Sequence, residues 1–322
     1  MPTMTMSHIG IISDPELLEF IKPLQQSLGL SLEKAAANLK HPALYPMPTD
    51  EFAVEQIISK RIKTYPKEKQ EAAVKTYDLL AAETTLLRTQ RLGEFAQINL
   101  KSPVSVSIQA LNVIRNHPPK FDLARITTLA ANIGEAVARS SETILEGNAN
   151  RTMDFIIDEV YCRDETNPEW TGEDEISLGG TAVDSTASAI KIPKFDVGDF
   201  DDGDRKKYLP GKKLISFDLI KQLMWHQTFT MTLVLAEVDM GGLADYIEAL
   251  LKAIKKEVQE YIAVTVGATV GAYIGSYIPI PGLGTLIGAA VGALVGWLIG
   301  EIGKAVHDDI FEPNTASITI PH

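Results

Sequence analysis

Hydrophobic and polar positions change rhythm twice along the chain. Over the first 150 residues the apolar positions recur at helical spacing: Ile126, Leu129, Ile133 and Val137, at i, i+3, i+7 and i+11, fall on one helix face. Partner stripes run through DPELLEFIKPLQQSLGLSLEKAAANL, TDEFAVEQIISKRIKTY, KEKQEAAVKTYDLLAAETTLLRTQRLGEFA and SPVSVSIQALNVIRNH. Prolines at 23, 46, 66, 103 and 118 interrupt or bound these runs, because a proline inside a helix loses a hydrogen bond and clashes with the preceding turn. The pattern predicts a bundle of about five helices. The alternation from Val104 to Ile108 fits a short strand as well.

Near residues 148–152 the period shortens to two. FIIDEVYC, EISLGGTAVD, KLISFDLI, FTMTLVLAE and the terminal TASITI are β-rich runs separated by Gly, Pro, Asn and Asp clusters, as in an antiparallel β-sandwich. The expected fold class is therefore α+β: a helical-bundle domain over 1–150, then a β-sandwich domain over 151–322. Between the last two strands lie the amphipathic run LADYIEALLKAIKKEVQE and a long apolar segment, read as an insertion.

That segment, residues 261–300, contains no Asp, Glu, Lys or Arg. Pro279 and Pro281 in IPIPG must break a helix, which makes the segment a helical hairpin at about 261–302. Its arms, 262–278 and 283–302, would span about 25 and 30 Å at 1.5 Å per residue, close to the roughly 30 Å of a bilayer's hydrocarbon core. Gly267, Gly271 and Gly275 mark the first arm; Gly284, Gly288, Gly292, Gly296 and Gly300 mark the second, all at steps of four. Each glycine costs about 1 kcal/mol against alanine inside a water-exposed helix, so eight of them point to backbones in close contact. Lys252, Lys255, Lys256 and Lys304 lie at the base, with Tyr261 and Trp297 as interfacial aromatics near it. The same pattern also fits a buried helix pair in a soluble core, or self-assembly through the glycines.

The hairpin resembles the charge-free helical pair held within colicin-type pore-forming toxins, a likeness of physical pattern confined to residues 261–300. It implies membrane insertion from a soluble store. The attached β region is a departure from the colicin arrangement.

Charge sharpens this picture. Residues 1–150 carry 16 basic and 16 acidic side chains, residues 151–322 carry 14 and 26, so the net charge of -12 belongs to the second half. Such a field disfavours nucleic acid as a partner. It also implies that acidification, by protonating carboxylates, eases approach to an anionic membrane. The acidic stretches YCRDETNPEWTGEDEISLGG and FDVGDFDDGDRKKY offer hard oxygen ligands, and Asp164, Glu165, Glu173, Asp174, Asp199, Asp201, Asp202 and Asp204 are candidate calcium ligands. The strand, acidic loop, strand order over roughly residues 153–239 resembles the calcium-loop end of C2-like sandwiches. Solvated acidic turns without metal are the competing reading.

The remaining chemistry is sparse. Cys162 is the only cysteine, which excludes an intramolecular disulfide. GLGTLIG has the outline of a dinucleotide-binding turn but lacks the preceding strand. The sequence contains no GxxxxGK[ST], GxSxG or HExxH, and its six histidines are scattered. The expectation is a non-enzymatic, membrane-inserting bacterial toxin or effector. Its partners would be a target lipid bilayer, further copies of itself and a secretion or injection apparatus. MPTMTMSHIGIISDPELLEF lacks the features of a secretory signal, so export would follow another route. The alternative is a soluble interaction or structural protein, a packaged cargo or scaffold.

Overall fold

The computed structural model describes residues 15–81, 83–121, 124–129, 152–162, 174–184, 189–200, 203–219, 227–237, 243–266, 283–306 and 314–320. Its first part is helical: α1 (Pro15–Lys40), α2 (Val54–Ile62), α3 (Lys67–Ala81), α4 (Thr85–Leu92), a 3-10 turn (Gly93–Gln97) and α5 (Val106–Asn116). Residues 124–129 are helical too; Ile133 and Val137 lie outside the described residues.

Three local expectations are corrected here. Helix α1 runs unbroken through Pro23; Phe20, Ile21, Leu24 and Leu28 are all buried around it, and their packing outweighs one lost backbone bond. The long run from Lys67 is two helices, because Thr84 caps α4 by accepting a bond from the Leu87 amide at 3.3 Å. The alternation at Val104 to Ile108 begins a helix: Ser105 caps α5 by accepting from the Ser107 amide at 3.2 Å.

The second part contains two antiparallel sheets. Strand β1 (Thr152–Tyr161) pairs with β4 (Arg205–Asp218). The other sheet has the order β3-β2-β5-β6, from β2 (Asp174–Val183), β3 (Ala189–Phe200), β5 (Gln227–Glu237) and β6 (Asn314–Ile320). Strands β2 and β5 approach so closely that a Cβ at Gly180 would sit 2.2 Å from the Thr232 carbonyl oxygen. Between β5 and β6 run α6 (Leu243–Val266) and α7 (Leu283–Val306). The amphipathic run and the start of the apolar segment are thus one helix, α6.

Strand alternation gives the four-stranded sheet two different apolar faces. Ala182, Phe229 and Met231 pack with Phe155, Ile215 and Phe217 of the two-stranded sheet. Val183 and Val234 instead join the helical cluster. The four-stranded sheet therefore lies between the helices and the β1–β4 pair. The helical cluster is continuous: side chains of α1, α2, α3 and α5 pack with those of α6 and α7. The molecule is mixed α+β, with helices N-terminal and antiparallel sheets after them.

Candidate membrane-active segment

Helix α7 reads LGTLIGAAVGALVGWLIGEIGKAV and meets no charge before Glu301. At about 1.5 Å per residue its 24 residues reach roughly 36 Å. Among the described residues it is the one helix long and apolar enough to cross a membrane, over Leu286–Val306, and 72% of that span is buried inside the protein. It packs against α1, α3, α6, β5 and β6. Leu286, Leu294, Leu298 and Ile302 are sealed from solvent.

The glycine stripe is unevenly used in this packing. Gly288 and Gly292 are buried, Gly296 and Gly300 half-buried. Among the described residues a Cβ built at Gly300 meets nothing within 4 Å, so none of them requires glycine there. Trp297 lies half-buried with its ring edge 3.8 Å from a Cβ position on Gly29 of α1. Gly284 lies in the first turn of α7. Gly267, Gly271, Gly275, Pro279 and Pro281 lie outside the described residues.

Helix α6 is amphipathic until it nears the apolar segment. Ile247, Leu250, Ile254, Val258 and Tyr261 of α6 form its buried stripe. Tyr261, expected near an interface, is sealed in the core with its ring 5.1 Å from Phe20. On the outer side Lys252 binds Glu248 at 2.6 Å. Burial holds the Lys255 amine below its ordinary pKa. On α7, Lys304 pairs with Glu301 at 3.0 Å.

One member of the α6 stripe is a carboxylate. Glu257 is buried, in a small recess lined by Leu24, Ser27, Ser107, Ala110, Leu111 and Ile114. Burial first, then the nearby charges of Glu55 and Glu260, push its pKa up to about 8, against a hydrogen bond with Ser107 and the charge of Lys256. Close by, Lys34 and Glu55 form a sealed ion pair at 3.7 Å between α1 and α2. Lys34 Nζ donates to the Ser102 and Val104 carbonyls at 2.8 and 3.0 Å, and Glu55 Oε1 accepts from the Val106 amide at 2.9 Å. Desolvation lowers the Lys34 pKa despite Glu55. The N-terminal helices thus carry their own satisfied charge pair, and α6 adds an acid beside it. The signal was in the sequence: Glu257 sits three residues after Ile254 and four before Tyr261, on the apolar stripe.

The candidate calcium ligands are only partly described. Asp164, Glu165, Glu173, Asp201 and Asp202 lie outside the described residues. Asp174 and Asp199 stand at the end of the β2–β3 ladder, opposite Phe200 and Glu175 respectively. FDVGDF is therefore strand where an acidic loop was expected. The Asp204 carbonyl accepts from the Cys162 amide at 2.9 Å. Among the described residues no group of three His, Cys, Asp or Glu side chains could hold a metal ion.

Residues 264–306 match a family model described as a glycine zipper, of the Omp type. No curated protein and no solved structure matches the chain. Residues 264–306 thus resemble a glycine zipper, a likeness that together with the span-like α7 supports membrane-related character.

Proposed function

We propose that this chain is a membrane-inserting protein of the bacterial toxin or effector type, stored in water with its glycine-zipper hairpin packed against the N-terminal helices. The observation that carries the reading is what α7 places at its partly exposed positions. Up to Gly300 those positions are Ala293, Gly296, Trp297 and Gly300, all half-buried and none polar; the first polar ones are Glu301 and Lys304 in the last turns. A core helix of a soluble protein ordinarily turns polar residues to such positions; an apolar rim as well as an apolar face suits lipid on all sides. Glycine at Gly300, unneeded in the packed state, suits a second state in which helices meet along the stripe. Assembly into a pore, an antiparallel β-sandwich closed around the two sheet clusters, and export by a dedicated apparatus belong to this reading. In it the chain acts without catalysis.

A second reading rests on burial. A helix 72% buried can serve as the core of a soluble interaction or structural protein and never meet lipid.

Dye release from vesicles separates the two. The proposal expects wild-type protein to release trapped dye and Gly300→Ile to release less while still binding vesicles. Wild-type protein that leaves vesicles intact, and does not sediment with them at any pH, supports the second reading.

A further inference from the structure

The β1–β4 sheet carries an apolar protrusion flanked by cations, of which Lys206 and Lys212 lie over Gly198 and Phe195 of β3. The ladder pairs Glu159 with Lys207 and Ile157 with Lys212, so the single residue Asp158 faces four, Tyr208 to Gly211. Tyr208 turns back onto the fold, its ring edge-on to Phe195 at 6.2 Å, while Lys212 Nζ lies 3.8 Å from the centre of the Phe195 ring. Leu209 is left 91% exposed, beside exposed Pro210 and the half-exposed Ile156. A Cβ at Gly211 would press on the side chains of Ile156 and Asp158, which close tightly over the bulge.

Arg205, Lys206, Lys207, Lys212 and Lys213 flank the tip in sequence. Glu159 pairs with Arg205 at 2.6 Å and Lys207 at 3.6 Å, and Asp154 pairs with Lys213 at 3.4 Å. These pairs are solvent-exposed and weak. Lys206 and Lys212 meet no carboxylate among the described residues. Five cations against Asp154, Asp158, Glu159 and Asp204 leave a small positive excess around the tip within the strongly acidic half of the chain. An isolated leucine held out from a sheet by a bulge, with lysines around it, is complementary to a bilayer surface. The apolar tip enters the interfacial layer and the ammonium groups reach lipid phosphates.

We propose that the Tyr208–Gly211 bulge and its lysines form a docking surface for an anionic lipid bilayer, engaged independently of the hairpin. The bulge lies on the β1–β4 pair, on the side of the four-stranded sheet away from α6 and α7, so docking and insertion are distinct steps. The proposal rests on the membrane-acting reading, and its test keeps the two separable.

Full-length protein is sedimented with vesicles of phosphatidylcholine and phosphatidylserine in equal parts, or of phosphatidylcholine alone, with dye release recorded in parallel. Leu209→Asp should lower partitioning onto the anionic vesicles about tenfold, and Lys206→Glu should lower it by roughly the same factor. Both should melt like wild type, and added salt should weaken wild-type binding. If both variants bind and release dye like wild type, the hairpin alone contacts lipid and the docking surface is overturned while the membrane reading stands. If the losses are equal on phosphatidylcholine alone, the anionic preference is overturned. Wild-type protein that ignores both vesicles overturns docking and insertion together; retention on immobilised polyglutamate would then assign the patch to an acidic polypeptide.

Discussion

Helices α6 and α7 are equally long, lie side by side and share one core, yet they treat their outer surfaces differently. On α6 the partly or fully exposed positions up to Glu260 are mostly polar, with Asp245, Glu248, Lys252, Lys255, Lys256, Gln259 and Glu260 beside Tyr246 and Ala249, and beyond Glu260 the rim becomes mostly apolar, with Ala263 and Val264. On α7 the rim is alanine, glycine and tryptophan as far as Gly300. Burial in this fold accounts for the apolar face of both helices. It does not account for the apolar rim of α7, which marks where the demands of a soluble core end and those of another environment begin.

Giving α7 the rim of α6 should have the largest effect. Ala293→Lys places a cation at a partly exposed position, where the stored fold can turn it to water, but at the centre of the span in a bilayer it costs about 3 kcal/mol. Vesicle dye release should fall about a hundredfold, with the thermal midpoint shifted by only a few degrees. Undiminished release would mean that α7 does not enter lipid.

Removing the acid from the α6 stripe should have the next largest effect, and it depends on pH. The folded-state pKa of Glu257, about 8, lies above its ordinary value of 4.5. The packed state therefore holds the proton more tightly, and the stability associated with it is fully present below about pH 4.5 and lost as pH rises through 8. Glu257→Gln should stabilise the protein by up to a few kcal/mol at pH 8 and by almost nothing at pH 4.5, measured as the difference between urea midpoints across that range. A difference that is flat with pH would show that Glu257 is solvated in solution. The acidic second half acts in the opposite sense, because its long-range repulsion from an anionic membrane weakens on acidification. Approach to the bilayer is thus favoured by acid and release of α6 by base. Dye release by Glu257→Gln should follow the acid trend alone.

Much of this organisation was legible in the sequence, and the losses have particular causes. Five β-rich runs became β1, β2, β4, β5 and β6 because alternation survives wherever one sheet face is buried. Strand β3 was missed: its AIKIPKFDVGDF contains a proline and acids that read as loop, yet Ile192, Val197 and Phe200 are buried between the sheets. The N-terminal half of β4 was hidden by RKKYLPGKK, whose bulge takes four residues out of the alternation. On the candidate site, length and glycine spacing marked α7 correctly as span-like. What covers it could not be read, because the contacts of α7 with α1 and α3 join residues more than 200 positions apart, and no local pattern encodes such pairings. Glu257 was missed for a different reason: charges along the amphipathic run were read as base-anchoring lysines, and the one acid on the inner stripe was not separated from them.

The glycine stripe itself should give a smaller, more selective effect. Gly288 and Gly292 are buried in the stored fold, so bulk at either position damages both states. Among the described residues nothing meets a Cβ at Gly300, so Gly300→Ile should leave the stored packing intact and obstruct only helix pairing along the stripe. Vesicle binding should persist while release falls several-fold. Equal release would place helix contact elsewhere on α7.

Calcium should have the smallest effect. If the acidic loops bind it, the thermal midpoint in millimolar-scale calcium should exceed that in excess chelator by a few degrees, and Asp201→Asn with Asp202→Asn should remove the difference. Identical melts would leave those loops as solvated turns.

The central claim is that α7 leaves its place beside α1 and enters lipid, and Trp297 reports on that move directly. With Trp170→Phe and Trp225→Phe, Trp297 is the sole tryptophan, held against Gly29 in the stored fold. Its fluorescence is measured with vesicles whose acyl chains carry bromine at defined depths. The account predicts strong quenching by chain bromines once dye release begins, and none before. Dye release without quenching of Trp297 at any depth would contradict it.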